Sequence, residues 1–276
     1  MKTTHLAITA LVLGALACGS AQPTPAVEPT ISLPTSTSSL PPATPTAPTT
    51  GAPPEAILVS TPGNGSRLVG AVHVEGEADP TFEQTLVVQV TALDVEPFAV
   101  LAQQSVMIGA DVGQRGPFVA DLTFDLGDVA ERPGAVNVFS VSPRDGAIAH
   151  LASMQVTLAA AGEETIRVND HPSERIAIFA PLASGLISGG TAHIEGFALA
   201  SFEQTLLVEI VDVDGTVVGA APVTVQAPDV GFPGSFAVDV PYSLTTAGPG
   251  RVVVRDISPA FGQDLHLASV EVDLEP

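Results

Sequence analysis

Apolar and polar residues alternate with a period of two through many short runs of this chain. In Phe82–Val90 the even positions Phe82, Leu86, Val88 and Val90 form an apolar face, with Thr85 and Gln89 opposite. In Phe118–Phe124 the apolar set is Phe118, Ala120, Leu122 and Phe124, and in Met154–Leu158 it is Met154, Val156 and Leu158. Successive side chains of a strand point to opposite faces, so each run predicts a strand with one buried side. Turn-forming clusters separate the runs: Pro62–Ser66 "PGNGS", Ser142–Gly146 "SPRDG", Val211–Thr216 "VDVDGT" and Ala247–Gly250 "AGPG". No stretch in this region carries a helical period.

The runs come in matched pairs. "FEQTL" stands at Phe82–Leu86 and again at Phe202–Leu206. "VHVEG" (Val72–Gly76) precedes the first and "AHIEG" (Ala192–Gly196) the second. "GPFVADLTF" (Gly116–Phe124) answers "GSFAVDVPY" (Gly234–Tyr242), "SVSP" (Ser140–Pro143) answers "DISP" (Asp256–Pro259), and "HLAS" recurs at His150–Ser153 and His266–Ser269. The apolar parity is kept at Phe202, Leu206, Val208 and Ile210, at Phe236, Val238, Val240 and Tyr242, and at Val270, Val272 and Leu274. A one-residue slip would turn each set outward, so the shared parity argues for real strands. The chain therefore reads as two copies of a unit of about 100 residues with about seven short strands each. The predicted fold class is all-β: two tandem immunoglobulin-like β-sandwiches after a disordered Pro/Thr-rich tether. Without a Cys–Trp–Cys pattern, the cores rest on Phe, Leu and Val packing.

These residues resemble the bacterial spore-germination immunoglobulin-like domain family, the germination-associated Gmad type. The resemblance is carried by Ile57, Val59, Pro62, Gly76, Ala78, Phe82, Glu83, Phe118, Ser142, Pro143 and Gly146, and covers residues 56–160. In the second copy it is carried by Ile176, Ile178, Pro181, Gly196, Ala198, Phe202, Glu203, Phe236, Ser258, Pro259 and Gly262, over residues 176–276. It implies a non-catalytic extracytoplasmic module and brings no catalytic residues with it.

The beginning of the chain adds a location. Leu6–Ala17 "LAITALVLGALA" is apolar and follows a lysine, but twelve residues are too few to span a bilayer. Ala17 precedes Cys18, the only cysteine, and "ALAC" resembles a bacterial lipobox. Residues 1–17 are accordingly expected to be a lipoprotein signal peptide, with Cys18 the lipidated residue. Residues 18–55, dominated by proline, serine and threonine, bury too little to offset their ordering entropy and read as a tether. The remaining divisions are domain 1 (56–160), a connector (161–175) and domain 2 (176–276).

Formal charge is -21, with 30 acidic residues against 9 basic, which argues against nucleic acid as a partner. Four arginines face twelve carboxylates in 56–160, and four face sixteen in 161–276. Two domains so charged, joined by a polar connector, are expected to repel one another and form a jointed, extended pair. Within the connector, Ile166 and Val168 alternate and are expected to add a short strand to one sandwich.

Candidate chemistry is sparse. His73 and Glu75, like His193 and Glu195, share a strand face at spacing i, i+2, with His150 or His266 as a conceivable third ligand. A solvated outer strand face explains them as well. Asp212–Gly215 "DVDG" hints at calcium but lacks the remaining loop ligands, and a hairpin turn accounts for it. No phosphate loop, nucleophile elbow or triad spacing is present, and one Tyr with no Trp supplies little for sugar stacking. The expectation is a protein without catalytic residues, metal or cofactor. It would be bound to the membrane through lipid on Cys18 and present its domains to an envelope polymer or protein. A calcium- or carbohydrate-binding adhesion module is the alternative, and an envelope hydrolase the most remote reading.

Overall fold

The computed structural model describes residues 53–169, 171–199, 203–229 and 231–276. The apolar leader, Cys18, almost all of the tether and Phe202 lie outside them. Among the described residues there are sixteen strands and one short 3-10 turn, Phe82–Gln84. The first sandwich contains β1 (Ile57–Thr61), β2 (Arg67–Val69), β3 (Ala71–Ala78), β4 (Thr85–Ala92), β5 (Ala99–Met107), β6 (Gly116–Thr123), β7 (Glu131–Val141) and β8 (Ile148–Ala159). The second contains β9 (Ile176–Ala180), β10 (Gly185–Ile187), β11 (Thr191–Ala198), β12 (Thr205–Val211), β13 (Val217–Thr224), β14 (Gly234–Pro241), β15 (Gly248–Ile257) and β16 (Asp264–Leu274).

Each sandwich packs a small antiparallel sheet, β1-β3-β6 or β9-β11-β14, against a larger one. The alternating residues fill the two cores. Leu86, Val88, Val90, Phe118, Ala120 and Leu122 are buried in the first, and Leu206, Val208, Ile210, Phe236 and Val240 in the second. The repeated "EG" has a packing cause. Gly76 lies opposite Phe118 and Gly196 opposite Phe236 in the small sheets. A Cβ at either glycine would collide with the facing ring and with the carbonyl of Leu58 or Ala177. The phenylalanine covers the gap that glycine leaves.

Phe82 departs from the expected core position: it is 57% exposed. The strand begins at Thr85, and the two residues before it, Glu83 and Gln84, have φ of 55° and 53°. Left-handed backbone breaks the alternation, so counting by twos back through Gln84 misplaces Phe82. The residue that enters is Gln84, which is buried. Its Nε2 donates to the carbonyls of Asp111 and Gln114, and its own carbonyl accepts from Ile108 N–H. Glu203 and Gln204 repeat the conformation, with Val225 N–H donating to Gln204 O. The constant part of "FEQTL" is thus the left-handed Glu-Gln turn that launches the strand.

The two sandwiches are not a jointed pair. Residues 49–276 form one compact unit. The large sheets merge into one of ten strands, with the path β13-β12-β15-β16-β8-β7-β4-β5 crossing from the second sandwich into the first. At the crossing β8 meets β16 antiparallel, with His150 opposite Ala268, Leu151 opposite Leu267 and Ala152 opposite His266. This register is self-complementary, as in a twofold homodimer interface, with the leucine pair on the pseudo-axis. Each strand would otherwise leave an unpaired edge, and here each edge closes the other. Beyond the crossing the edges are closed by parallel β2 on Thr157–Ala159 and parallel β10 on Val272–Leu274. The connector runs along the first sandwich: Arg67 and Thr165 exchange backbone hydrogen bonds, and Gly63 N–H donates to Arg167 O. Thr165, Arg167 and Asn169 make these contacts, while Ile166 and Val168 point outward.

Candidate functional site

The self-complementary crossing gathers residues that lie far apart in the sequence. His150 and His266, the first letters of the two "HLAS" phrases, occupy the face of the joined sheet that carries the cores, and their rings meet edge to face at 4.9 Å. Above them run two more equivalent segments, Pro53–Glu55 and Pro172–Glu174. Glu55 N–H donates to Pro172 O and Glu174 N–H to Pro53 O, so these segments also pair about the same pseudo-axis. The pairing drops Glu55 and Glu174 onto the two imidazoles.

The four side chains converge through one atom each: all four potential ligand atoms lie within 4.8 Å of one another. His266 Nε2 is 2.8 Å from Glu174 Oε1 and 3.6 Å from Glu55 Oε1. His150 Nε2 is 3.4 Å from Glu55 Oε1 and 3.7 Å from Glu174 Oε1. The outer oxygens are held by backbone across the joint: Ala56 N–H donates to Glu174 Oε2 and Arg175 N–H to Glu55 Oε2. His266 is fully buried, both carboxylates nearly so, and His150 only slightly open. Burial pushes the Glu174 carboxyl up, but the hydrogen bond to His266 and the imidazoles of His150 and His266 outweigh it and hold the group at about 2. Burial likewise pushes His150 down, while its bond to Glu55 and the charges of Glu174, Glu55 and Asp79 raise it above the ordinary value. The site therefore favours a charged Glu174 carboxylate beside imidazole nitrogens in a nearly dry setting. A crevice of about 40 Å³ borders it, lined by Glu55, Ser153, His171, Arg175 and His266 among others.

Other contacts across the joint flank this cluster. Ser142 Oγ donates to Glu271 Oε1, and its equivalent Ser258 accepts from Gln155 Nε2. The "SP" turns thus reach over the other copy's "HLAS" strand. Asp145 pairs with the buried Arg251, whose guanidinium also donates to Ile148 O, and Arg144 donates to Gly250 O. On the opposite face of the joined sheet, Leu151, Leu267 and Val253 pack together beneath an open groove. One part of that groove, about 370 Å³, is lined by Gln89, Phe98, Asn137, Phe139, Arg255 and Asp264 among others.

The His–Glu pairs singled out by their i, i+2 spacing lie elsewhere, on the exposed outer faces of the small sheets. His73 Nδ1 is 2.7 Å from Asp121 and His193 Nδ1 is 2.6 Å from Asp239, each aspartate supplied by the facing strand. Neither set includes His150 or His266. In "DVDG" the Asp212 carboxylate accepts from Asp214 N–H and Thr216 N–H, which commits Oδ1 to closing a hairpin turn. Glu55 and Glu174 were not singled out, because they fall in stretches read as tether and connector. A signal existed in "PPEAI" (Pro53–Ile57) and "PSERI" (Pro172–Ile176), which share Pro, Glu and Ile at the same spacing.

Comparison with known proteins follows the same lines. Residues 56–147 match the family model of Gmad2, the immunoglobulin-like domain of bacterial spore germination. The match covers about a third of the chain, from β1 through β7, and makes that part of the first sandwich similar to this immunoglobulin-like class. No curated protein matches the chain. Among solved structures, red sea bream transglutaminase is similar over 80% of this chain and 31% of its own, at 10% identity and a TM-score of 0.27.

Proposed function

We propose that this chain is a non-catalytic, lipid-anchored protein of a bacterial envelope that presents two Gmad2-type sandwiches as one rigid unit for binding or structural display. The carrying observation is the ten-stranded sheet that passes through both sandwiches. A sheet hydrogen-bonded across the boundary leaves no hinge, so whatever the first sandwich meets, it meets with the second in fixed register. The Gmad2 match of the first sandwich, together with the shared "HLAS", "SP" and "PxExI" phrases, supports reading the second as another copy. The apolar leader ending at Cys18 and the proline-rich stretch after it support anchoring and spacing from a membrane. The groove on the outer face of the joined sheet, with its two phenylalanines and its amide side chains, is the place for an envelope ligand.

The anchor is tested by fractionation of the full chain in a bacterial host. The expected result is partition into the detergent phase for the parent and release of Cys18→Ser into the aqueous phase. Unchanged membrane retention of Cys18→Ser would overturn the anchored reading.

A further inference from the structure

We infer that Glu55, His150, Glu174 and His266 form a tetrahedral binding site for a divalent transition metal, zinc by preference, that staples the two sandwiches together. Zinc takes imidazole nitrogen and carboxylate oxygen at about 2.0–2.2 Å, so a regular tetrahedron of such ligands has edges of about 3.3–3.6 Å. The four nitrogen-to-oxygen separations are 2.8, 3.4, 3.6 and 3.7 Å. Three already lie within a few tenths of an ångström of that edge, and the shortest needs only the ordinary relaxation of one hydrogen bond. The donors also have the right composition. Two carboxylates balance a dication, which a dry site requires. Imidazole with carboxylate suits zinc better than the all-oxygen sets preferred by calcium and magnesium.

Independent features support the assignment. The outer oxygen of each glutamate is engaged by a backbone N–H of the other copy, and each Oε1 faces the histidines, with Glu174 Oε1 also accepting from Ile176 N–H at 3.3 Å. Such support around the ligands fixes their direction. His266 presents Nε2 to the cluster, 2.8 Å from Glu174 Oε1, while its Nδ1 is buried without a protein partner. The crevice beside Glu55 and His266 gives an ion a way in. Finally, each copy contributes one histidine and one glutamate from equivalent positions, so neither sandwich alone holds more than two ligands. The site comes into being only when the copies meet.

The experiment titrates the purified, chelator-treated full chain with zinc, and separately with cobalt as a spectroscopic stand-in. The expected result is one tightly held ion per chain, the intense visible bands of four-coordinate cobalt, and a zinc-dependent rise in thermal midpoint. His150→Gln, at the most open of the four positions, is expected to weaken zinc at least tenfold and abolish the midpoint rise. The double variant His73→Ala/His193→Ala, which removes both exposed histidine sets, is expected to bind as the parent does. Absence of stoichiometric binding, a six-coordinate cobalt spectrum, or loss of binding in the double variant would overturn the proposal. If His150→Gln does not fold, the cobalt spectrum of the parent and the unaffected double variant decide the matter alone.

Discussion

The molecule carries duplicated histidine–carboxylate sets in two places, and their fates differ. On the outer faces, His73 with Glu75 and Asp121, and His193 with Glu195 and Asp239, stand in solvent as separate sets. At the joint, Glu55, His150, Glu174 and His266 are drawn from four segments into one buried cluster. Residue types and pair distances are similar. What separates the sets is the pseudo-twofold axis. A residue near the axis meets its own counterpart, so duplication concentrates chemistry there, whereas a residue far from the axis is merely present twice. Water screens the outer pairs and makes them cheap to lose, while the low dielectric of the joint makes its charges interdependent.

The sharpest way to break this comparison is to remove one acidic partner from the joint. Glu174→Ala leaves buried imidazoles facing a single carboxylate and strips Ala56 N–H of its acceptor. We expect a loss of about 3–5 kcal/mol, the cost of orphaning one side of a buried ionic group. Denaturant midpoints of the full chain in the presence of chelator measure it. A midpoint close to that of the parent would mean that the joint contributes no more than the surface does.

A second effect concerns acid. Burial pushes the Asp145 carboxyl up, but Ala147 N–H and the Arg251 guanidinium beside it prevail and hold it below the usual carboxylate range. A group depressed on folding contributes its stabilisation above its unfolded value, about 3.9, and loses it as pH falls through the folded value. The joint is therefore expected to weaken below about pH 4. Asp145→Asn should cost about 1.5–3 kcal/mol at neutral pH, the worth of a hydrogen bond to a charged group. It should also flatten that part of the acid profile, which thermal midpoints between pH 3 and 7 would reveal.

These two regions were unequally legible in the sequence. The cores could be read because alternation of one residue type is a local signal, and Leu86, Phe118, Leu206 and Phe236 are all buried. The phrase "HLAS" was visible as a repeat, but its purpose was not. Pairing of β8 with β16 joins positions 114 to 118 apart, and nothing in a strand's own alternation names its partner at an edge. Both acidic ligands lay in proline-containing stretches that bury little apolar surface, so composition assigned them to linkers. They are ordered by contact with each other's copy. Even charge misled: a large acidic excess suggests repulsion, yet Arg144 and Arg251 are spent across the joint, on Gly250 and Glu271, and on Asp145, respectively.

The repeated "FEQTL" offers a smaller test of the same kind, local pattern against tertiary placement. Alternation would make Phe82 the costly residue and Gln84 the cheap one. The fold reverses that order. Gln84→Ala removes both donors that hold the Asp111–Gln114 loop and is expected to cost about 1–2 kcal/mol. Phe82→Ala, more than half exposed, is expected to cost less than about 1 kcal/mol. Paired denaturation curves at one pH separate the two. A larger loss for Phe82→Ala would restore the phenylalanine to the core and remove the role assigned to the left-handed turn.

The smallest expected effect belongs to the outer histidines, and it sets the scale for the rest. The hydrogen bond of His73 to Asp121 raises its imidazole above the ordinary value despite a slight opposing effect of burial. Bonds to Glu195 and Asp239 raise that of His193. For a group raised on folding, the contribution is complete below the unfolded value, about 6.5, and disappears as pH rises through the folded value. His193→Ala should therefore shift stability by no more than about 0.5 kcal/mol at pH 5, as is usual at the surface. The shift should vanish above pH 8 and shrink in salt, because an exposed pair is screened within about 10 Å at 0.1 M. Thermal midpoints at two pH values and two ionic strengths suffice. If His193→Ala cost as much as Glu174→Ala and ignored salt, burial at the pseudo-axis would not be what distinguishes the two regions. The outer face of the small sheet would then be the better place to look for a ligand.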